Sequence, residues 1–110
     1  THSAGDLVLR KLLNEVKSNL RDYDTVGRWG GEEFLILLPE TKLEEAVDII
    51  TRLKDHISER KFSFEDKTIN LTCSFGINSF NKDISIQEMI NKADKLMYTA
   101  KKNGKNRVEY

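Results

Sequence analysis

Two glutamates stand side by side in the stretch RWGGEEFLILLP, directly after a pair of glycines. Carboxylates bind hard cations such as Mg²⁺, which proteins usually hold through one or two acidic side chains together with substrate phosphates. Neighbouring side chains on a regular strand point to opposite faces, so Glu32 and Glu33 can serve one site only where the chain bends. Gly30 and Gly31 favour a bend, because glycine tolerates positive φ and lets the backbone approach a ligand closely. On spacing alone, a solvated turn with charged neighbours explains the same residues.

The composition argues against several classes of protein. The 110 residues suffice for one compact domain, and 18 basic residues balance 18 acidic ones, so no overall charge draws the chain to nucleic acid or to a membrane surface. The longest apolar run, Phe34 to Leu38, is too short to span a bilayer, and we expect no signal peptide. A single cysteine, Cys73, cannot form an internal disulfide. We therefore expect a buried core thiol and a cytoplasmic location, with a membrane anchor elsewhere in a longer parent protein left open.

Apolar residues at helical spacing predict three helices that must position these acids. The first covers about 6–20. The second is predicted to open with a capping box at Thr41 and Glu44, and the third with one at Ser85 and Glu88.

Alternating apolar residues predict the strands between these helices. A first hairpin joins TVGRW to FLILL through the two glycines. A second hairpin has its turn at Asp66-Lys67 and TINLTCSFGINS as its longer arm, and RVEY is a short last strand.

The order helix, hairpin, helix, hairpin, helix, strand predicts an α+β fold with an antiparallel-rich sheet flanked by helices. A strand before the first helix would complete a ferredoxin-like β-α-β-β-α-β arrangement. The chain opens without methionine and reaches a helical pattern almost at once. We therefore expect it to be a piece of a longer protein, with that first strand missing.

Five stretches, distributed along the whole chain, resemble the motifs of GGDEF domains, the diguanylate cyclases of bacterial signalling. RWGGEEF is similar to the family signature in the variant with glutamate at its third position. HSAGDLVL resembles the H-x-x-G-D-x-x-L motif, RDYD the regulatory R-x-x-D motif, LTCSFGI the T-x-S-x-G strand and ADKLMYTAKKNGKNRV the closing helix and turn. The resemblance implies one GGDEF domain over residues 1–110, of nucleotide-cyclase or palm-type architecture, lacking its first strand.

The resemblance also implies a reaction. A homodimer, with one GTP held by each domain, would join two GTP molecules into cyclic di-GMP and release pyrophosphate. Mg²⁺ or Mn²⁺ would polarise the phosphate and lower the pKa of the attacking 3′-hydroxyl. Matched to the signature, Glu32 would bind metal and accept the hydroxyl proton, and Glu33 would complete the carboxylate cluster. Gly30 and Gly31 would let the backbone pass close to the phosphates.

Four further residues match the substrate-binding positions of the family. Asp6 matches the guanine-binding aspartate, and His2 lies near the same nucleotide pocket. Lys101 and Lys105 match the cations that hold the phosphates, with lysine at the second position where arginine is frequent. An acid at a helix start and lysines at a helix end are also expected from the helix dipole alone, and His2 lies at a chain end.

Arg21, Asp24 and Arg52 match the product-inhibition site of the family, where cyclic di-GMP holds domains in an unproductive arrangement. An arginine can hold guanine O6 and N7 through two hydrogen bonds. Arg52 would come from a neighbouring domain. From the residues alone, R-x-x-D is also a common motif where a helix ends, and Arg52 is equally well explained as a solvated surface side chain.

Two alternatives belong to other functional classes. One is a receptor that binds cyclic di-GMP or GTP without catalysis, and the other is a plain ferredoxin-like interaction module. Glu32 and Glu33 argue against the receptor, because a receptor has no need of metal-binding acids. In the family, the strand before the first helix carries another metal-binding aspartate. We therefore expect the fragment alone to be inactive, and to self-associate or exchange elements through unpaired strand edges.

Overall fold

The computed structural model describes residues 3–110, which form three helices and six strands. The helices are α1, Ala4–Ser18; α2, Leu43–Glu59; and α3, Ile86–Lys102. The strands are β1, Thr25–Gly30; β2, Glu33–Leu37; β3, Lys61–Phe64; β4, Lys67–Asn70; β5, Phe75–Gly76; and β6, Val108–Glu109. The described chain divides into two compact units, one holding the residues up to Glu40 with Lys61–Asn70, the other Thr41–Arg60 and Leu71–Tyr110.

Helix α1 lies against β1 and β3 in the first unit. It begins where the Ser3 hydroxyl accepts a hydrogen bond from the backbone N–H of Asp6, at 3.2 Å. This cap satisfies one of the amide donors that a helix start leaves unpaired. The core of this unit is apolar, and each fully buried side chain contributes about 1.5–3 kcal/mol. Its buried residues are Leu12, Val16, Val26 and Phe62.

The first unit contains two antiparallel hairpins. In β1–β2 the register pairs Arg28 with Phe34, then shifts so that Gly30 pairs with Glu33. In β3–β4 the turn residues are Glu65 and Asp66, both with positive φ, 46° and 51°. The turn predicted at Asp66-Lys67 is therefore wrong by one residue. A tight two-residue turn takes positive φ at both central positions, and the second of these is Asp66.

The second unit packs α2 and α3 against a short parallel pair, β5–β6. The N–H groups of Phe75 and Ile77 donate to the carbonyls of Arg107 and Glu109, both at 2.9 Å. These bonds confirm a last strand in RVEY. A stripe on α2 and one residue of α3 are buried, namely Ala46, Ile50, Leu53, Ile57 and Ala100.

A close approach of β5 to α3 explains a glycine of the T-x-S-x-G stretch. A Cβ at Gly76 would overlap the carbonyl oxygen of Ala93, the amide nitrogen of Met97 and the side chain of Leu96. Two of these three atoms belong to the helix backbone, which cannot move aside as a flexible side chain can. Glycine is therefore required at this position by packing.

Two other predictions are wrong in detail. The N-cap of α2 is Lys42, which makes no side-chain cap bond, so the helix starts one residue later than the N-cap predicted at Thr41. At α3 the predicted N-cap is confirmed, since the Ser85 hydroxyl accepts from the N–H of Glu88 at 3.1 Å. The long strand predicted over 68–79 is interrupted: β4 pairs with β3, whereas β5 pairs with β6. Alternation predicts which side chains share a face, and it carries no information about which strand they pair with.

The observed architecture confirms the predicted α+β class, with three helices and small, mostly antiparallel sheets. Within residues 3–110, no helix combines the length and the apolar character that crossing a bilayer requires.

Candidate functional site

The glycine–glutamate stretch lies at the end of the β1–β2 hairpin. Glu32 is exposed in the turn, and Glu33 is half-buried as the first residue of β2. Neither Gly30 nor Gly31 has a positive φ, and a Cβ at either position would meet no atom within 4 Å. Backbone conformation and packing therefore leave the two glycines unexplained. Gly27 in β1 is equally open, so the close approach of a ligand to Gly30 and Gly31 stays a prediction.

Arg28 joins this turn to the start of α1. Its Nε and Nη2 donate to the carbonyl oxygen of Gly31 at 2.9 and 2.7 Å, and its Nη2 donates to Oδ1 of Asp6 at 3.2 Å. The structure thus brings Asp6 and Gly31 together through one guanidinium. The sequence reasoning missed Arg28. Its position two residues before Gly30, on the same face of a regular strand, was the available signal.

An open pocket of about 250 Å³ borders this cluster. Leucine and phenylalanine side chains line it together with charged residues, a mixture that suits a flat ring with polar edges. The lining residues are Asp6, Leu9, Arg10, Leu13, Arg28 and Phe34.

Lys101 and Lys105 both belong to the second unit. Lys101 is exposed in the last turn of α3, with its Nζ 5.8 Å from the centre of the Tyr98 ring. Lys105 follows Gly104 and has a φ of 64°. The backbone N–H of Lys105 donates to the carbonyl of Ala100 at 3.0 Å, and this bond closes the end of the helix. Contact of these lysines with phosphate stays a prediction. His2, predicted near the nucleotide pocket, lies outside the described residues.

Arg21 and Asp24 form a two-pronged ion pair after α1. The Nε and Nη2 of Arg21 donate to Oδ2 and Oδ1 of Asp24, each at 2.9 Å, and the Arg21 backbone N–H also donates to Oδ2. The Asp24 side chain has no exposed surface, while that of Arg21 is 27% exposed. The hydrogen bond from Arg21 holds the pKa of Asp24 below its ordinary value. The guanidinium also lies over the Tyr23 ring, 4.6 Å from its centre.

Two other residues considered from the sequence lie in the second unit. Arg52 is exposed on α2, with its Nε 3.4 Å from the carbonyl of Asp48. Cys73 is half-buried, and burial raises the pKa of its thiol to about 11. The thiol is therefore protonated at neutral pH, as expected for a structural rather than a nucleophilic cysteine.

Among residues 3–110, no group of three or more His, Cys, Asp and Glu side chains is placed to hold a metal ion unaided. Glu32 and Glu33 nevertheless match the donor set of a substrate-bridged magnesium site, in which one or two carboxylates act together with phosphates.

The sequence profile described as "Diguanylate cyclase, GGDEF domain" matches residues 2–107. The chain belongs to the GGDEF family. This GGDEF domain is 39% identical over 108 residues to diguanylate cyclase A of Treponema denticola, covering 97% of this chain and 29% of that protein. It is 38% identical to diguanylate cyclase DgcP of Pseudomonas aeruginosa, covering 98% of this chain and 16% of that protein. The GGDEF domain thus spans less than a third of these relatives.

Solved structures agree with this assignment. The diguanylate cyclase SiaD of Pseudomonas aeruginosa, solved with its activator SiaC, matches the GGDEF domain with a TM-score of 0.87 and 33% identity, over 94% of this chain and 40% of that chain. A structure described as the active GGEEF domain of a diguanylate cyclase from Vibrio cholerae has a TM-score of 0.76 and 30% identity, over 98% of this chain and 69% of that chain. The palm-type fold predicted from the sequence is therefore confirmed.

Proposed function

We propose that this GGDEF domain is the catalytic domain of a diguanylate cyclase, which condenses two GTP molecules into cyclic di-GMP with release of pyrophosphate. The supporting observation is the open space at Gly30 and Gly31, where neither φ nor packing calls for glycine. A phosphate chain lying against this turn accounts for both residues, because a side chain there would occupy the space that the ligand needs.

The pocket beside Asp6 provides for the guanine base. Guanine has N–H donors at N1 and at its exocyclic amine, and a carboxylate can accept a hydrogen bond from each. Adenine has a hydrogen-bond acceptor at N1 instead. Asp6 lines this pocket together with apolar side chains against which a base can lie. This arrangement supports GTP rather than ATP as the substrate.

Glu32 and Glu33 are the residues proposed to hold Mg²⁺ or Mn²⁺. When bound, the metal would neutralise phosphate charge and lower the pKa of the attacking hydroxyl. Glu32, exposed at the turn, is proposed to accept the proton of that hydroxyl. Lys101 and Lys105 are proposed to neutralise the remaining phosphate charge as point charges, without the planar fork of an arginine.

The chemistry is symmetric, which supports a homodimer. The 3′-oxygen of each GTP forms a bond to the α-phosphorus of the other, and each phosphorus releases pyrophosphate. Since one domain holds one GTP, two facing domains are needed to bring both pairs of atoms into line. We place this reaction in the cytoplasm, where GTP is available.

Arg21 and Asp24 are proposed to form the product-inhibition site, with Arg52 contributed by a neighbouring domain. The ion pair supports this role because Asp24 holds the Arg21 guanidinium in one orientation. A guanidinium held in this way can donate hydrogen bonds to O6 and N7 of guanine.

Turnover of GTP tests the proposal. Cyclic di-GMP and pyrophosphate are measured with Mg²⁺ and with Mn²⁺ in a longer protein that carries this domain, for the wild type and for Glu32→Gln. We expect Glu32→Gln to lower turnover by about 100-fold or more, as loss of a general base does. Glu65→Gln, which alters an exposed glutamate in the turn of the other hairpin, is the control. Binding of GTP and cyclic di-GMP without any turnover would instead identify a receptor.

The same assay compares the 110 residues alone with the longer protein. We propose that the 110 residues are much slower, because the family resemblance assigns a further metal-binding aspartate to a strand ahead of the first helix. Equal rates of pyrophosphate release per domain would contradict this.

A further inference from the structure

Tyr98 is an aromatic residue that burial does not explain. It lies on α3 with 59% of its surface exposed, three residues before Lys101 in the stretch ADKLMYTAKK. Residues three apart are neighbours on the surface of a helix. The proposed binding of phosphate gives Lys101 a role and leaves the exposed tyrosine beside it without one.

The Tyr98 ring attracts the ammonium group of Lys101. The Nζ atom lies 5.8 Å from the centre of the ring, within the distance of about 6 Å over which an aromatic face attracts a cation. An aromatic ring carries no net charge, so Lys101 keeps its full positive charge for a phosphate. A carboxylate in the place of the ring would compete with phosphate for the same ammonium group.

The end of α3 does not need the Lys101 side chain as a cap. The carbonyls of Thr99 and Ala100 accept hydrogen bonds from the backbone N–H groups of Asn103 and Lys105, at 2.9 and 3.0 Å. Lysine side chains near the end of a helix can otherwise donate to such carbonyls. Because backbone bonds already close this end, the ammonium group of Lys101 can serve a ligand.

Orientation before binding matters for a lysine. Its side chain is a flexible chain of four carbon atoms, which loses rotamer freedom when the ammonium group is fixed on a phosphate. A ring that already restricts the side chain reduces this loss, so the ligand binds more tightly. The gain concerns binding of the phosphates and leaves the chemical step unchanged.

We propose that Tyr98 is a positioning residue, which holds the Lys101 ammonium group at its ring so that the lysine is oriented for the phosphates of GTP. This inference rests on the proposed phosphate-binding role of Lys101. The face of the ring is what it requires, and the hydroxyl of Tyr98 is not involved.

Steady-state kinetics with GTP and Mg²⁺ test the inference in a longer protein that carries this domain. Tyr98→Leu is expected to raise the KM for GTP about threefold, the effect of an exposed cation–ring contact, and to leave kcat unchanged. Tyr98→Phe retains the ring and is expected to match the wild type. A raised KM in Tyr98→Phe would assign the effect to the hydroxyl and overturn the proposal.

A double-mutant cycle shows whether the effect of Tyr98 passes through Lys101. Lys101→Met is expected to raise the KM for GTP about tenfold, as loss of a charged donor to phosphate does, and Tyr98→Leu is expected to add nothing in that background. Lys92→Met removes another exposed lysine of α3, and Tyr110→Leu removes another exposed tyrosine. Both controls are expected to have the KM of the wild type.

Urea unfolding of each variant separates lost orientation from lost stability. Leucine is a good helix former, so Tyr98→Leu is expected to unfold at the wild-type midpoint. If its midpoint falls, Tyr98→Gln takes its place in the cycle, with the same threefold rise in KM expected.

The cycle also separates the two levels of the proposal. If Lys101→Met raises the KM while Tyr98→Leu does not, the phosphate role of Lys101 stands and the positioning role of Tyr98 is overturned. The positioning role is equally overturned if Tyr98→Leu still raises the KM in the Lys101→Met background. If Lys101→Met itself leaves the KM unchanged, both roles are overturned, and the cyclase proposal is decided separately by the turnover of Glu32→Gln.

Discussion

Arg28 donates from Nη2 to Oδ1 of Asp6 over 3.2 Å, linking strand β1 to the first turn of α1. The same guanidinium donates twice to the carbonyl of Gly31. One side chain therefore fixes the proposed guanine-binding carboxylate relative to the turn that carries Glu32. The fork geometry matters here, because a guanidinium can serve two acceptors in fixed directions whereas an ammonium acts as a point charge.

Arg28→Lys is expected to raise the KM for GTP by about tenfold and to lower turnover, since Asp6 and Gly31 lose their common donor. The stability change is expected to stay below about 1 kcal/mol, because the side chains of Arg28 and Asp6 are 44% and 42% exposed. Steady-state kinetics and urea unfolding measure the two effects. Arg107→Lys, which alters a half-exposed arginine paired with Glu109, is the control. If Arg28→Lys has the KM of the wild type, Arg28 does not position the GTP site.

The link between Arg28 and Asp6 also marks a limit of sequence reasoning. Local features were predictable, among them α1, the hairpin at the glycines and the Ser85 cap, because each depends on residues within about one helical turn or one hairpin. Arg28 and Asp6 are 22 residues apart, and their contact exists only after helix and hairpin have packed.

The interrupted strand has a similar cause. Ile69 and Phe75 follow the alternation predicted for one strand, and both are half-buried. Their strands nevertheless pair with different partners, β3 and β6. The choice of partner depends on chain segments distant in sequence, so no local pattern could reveal it. The motif resemblance predicted the family, which the sequence profile over residues 2–107 confirms, whereas the site residues that it named stay predictions.

Gly30→Ala and Gly31→Ala are expected to retain wild-type stability and to lose activity. A Cβ at either position meets no protein atom within 4 Å, so the folded chain accommodates it. We expect roughly a 100-fold loss of turnover, because a displacement of bound phosphate by about 1 Å is enough to cause it. Gly27→Ala, which is equally open in β1, is the control for both measurements. Full activity in both variants would remove the main support for a phosphate at this turn.

Gly76→Ala is expected to give the opposite result, a loss of about 3 kcal/mol in the free energy of unfolding. Its Cβ would overlap backbone atoms of Ala93 and Met97, so α3 would have to move away from β5. Urea unfolding followed by circular dichroism measures the loss, with Gly27→Ala again as the control. An unchanged midpoint would mean that β5 and α3 are not packed as closely as the structure has them.

The part-buried ion pair of Arg21 and Asp24 predicts a dependence of stability on pH. Arg21 lowers the pKa of Asp24 in the folded chain relative to its ordinary value of 3.8. The ionised carboxylate is thus favoured by folding, and its contribution is present above pH 3.8 and lost as the pH falls through the lower folded value. The free energy of unfolding of the wild type should therefore exceed that of Asp24→Asn at neutral pH, and the difference should shrink as the pH falls below 3.8.

Urea unfolding of the wild type and Asp24→Asn between neutral and strongly acidic pH measures this difference. Arg21→Ala is expected to cost about 1–3 kcal/mol at neutral pH, because it leaves an inaccessible carboxylate without its charged donor. Asp55→Asn, at an exposed carboxylate near Lys54, is the control and should follow the wild-type profile. A constant difference between wild type and Asp24→Asn over the whole range would show that Arg21 does not lower the pKa. If the loss in Arg21→Ala is confirmed, tests of product inhibition must use Arg21→Lys, since Arg21→Ala would combine lost recognition with lost stability.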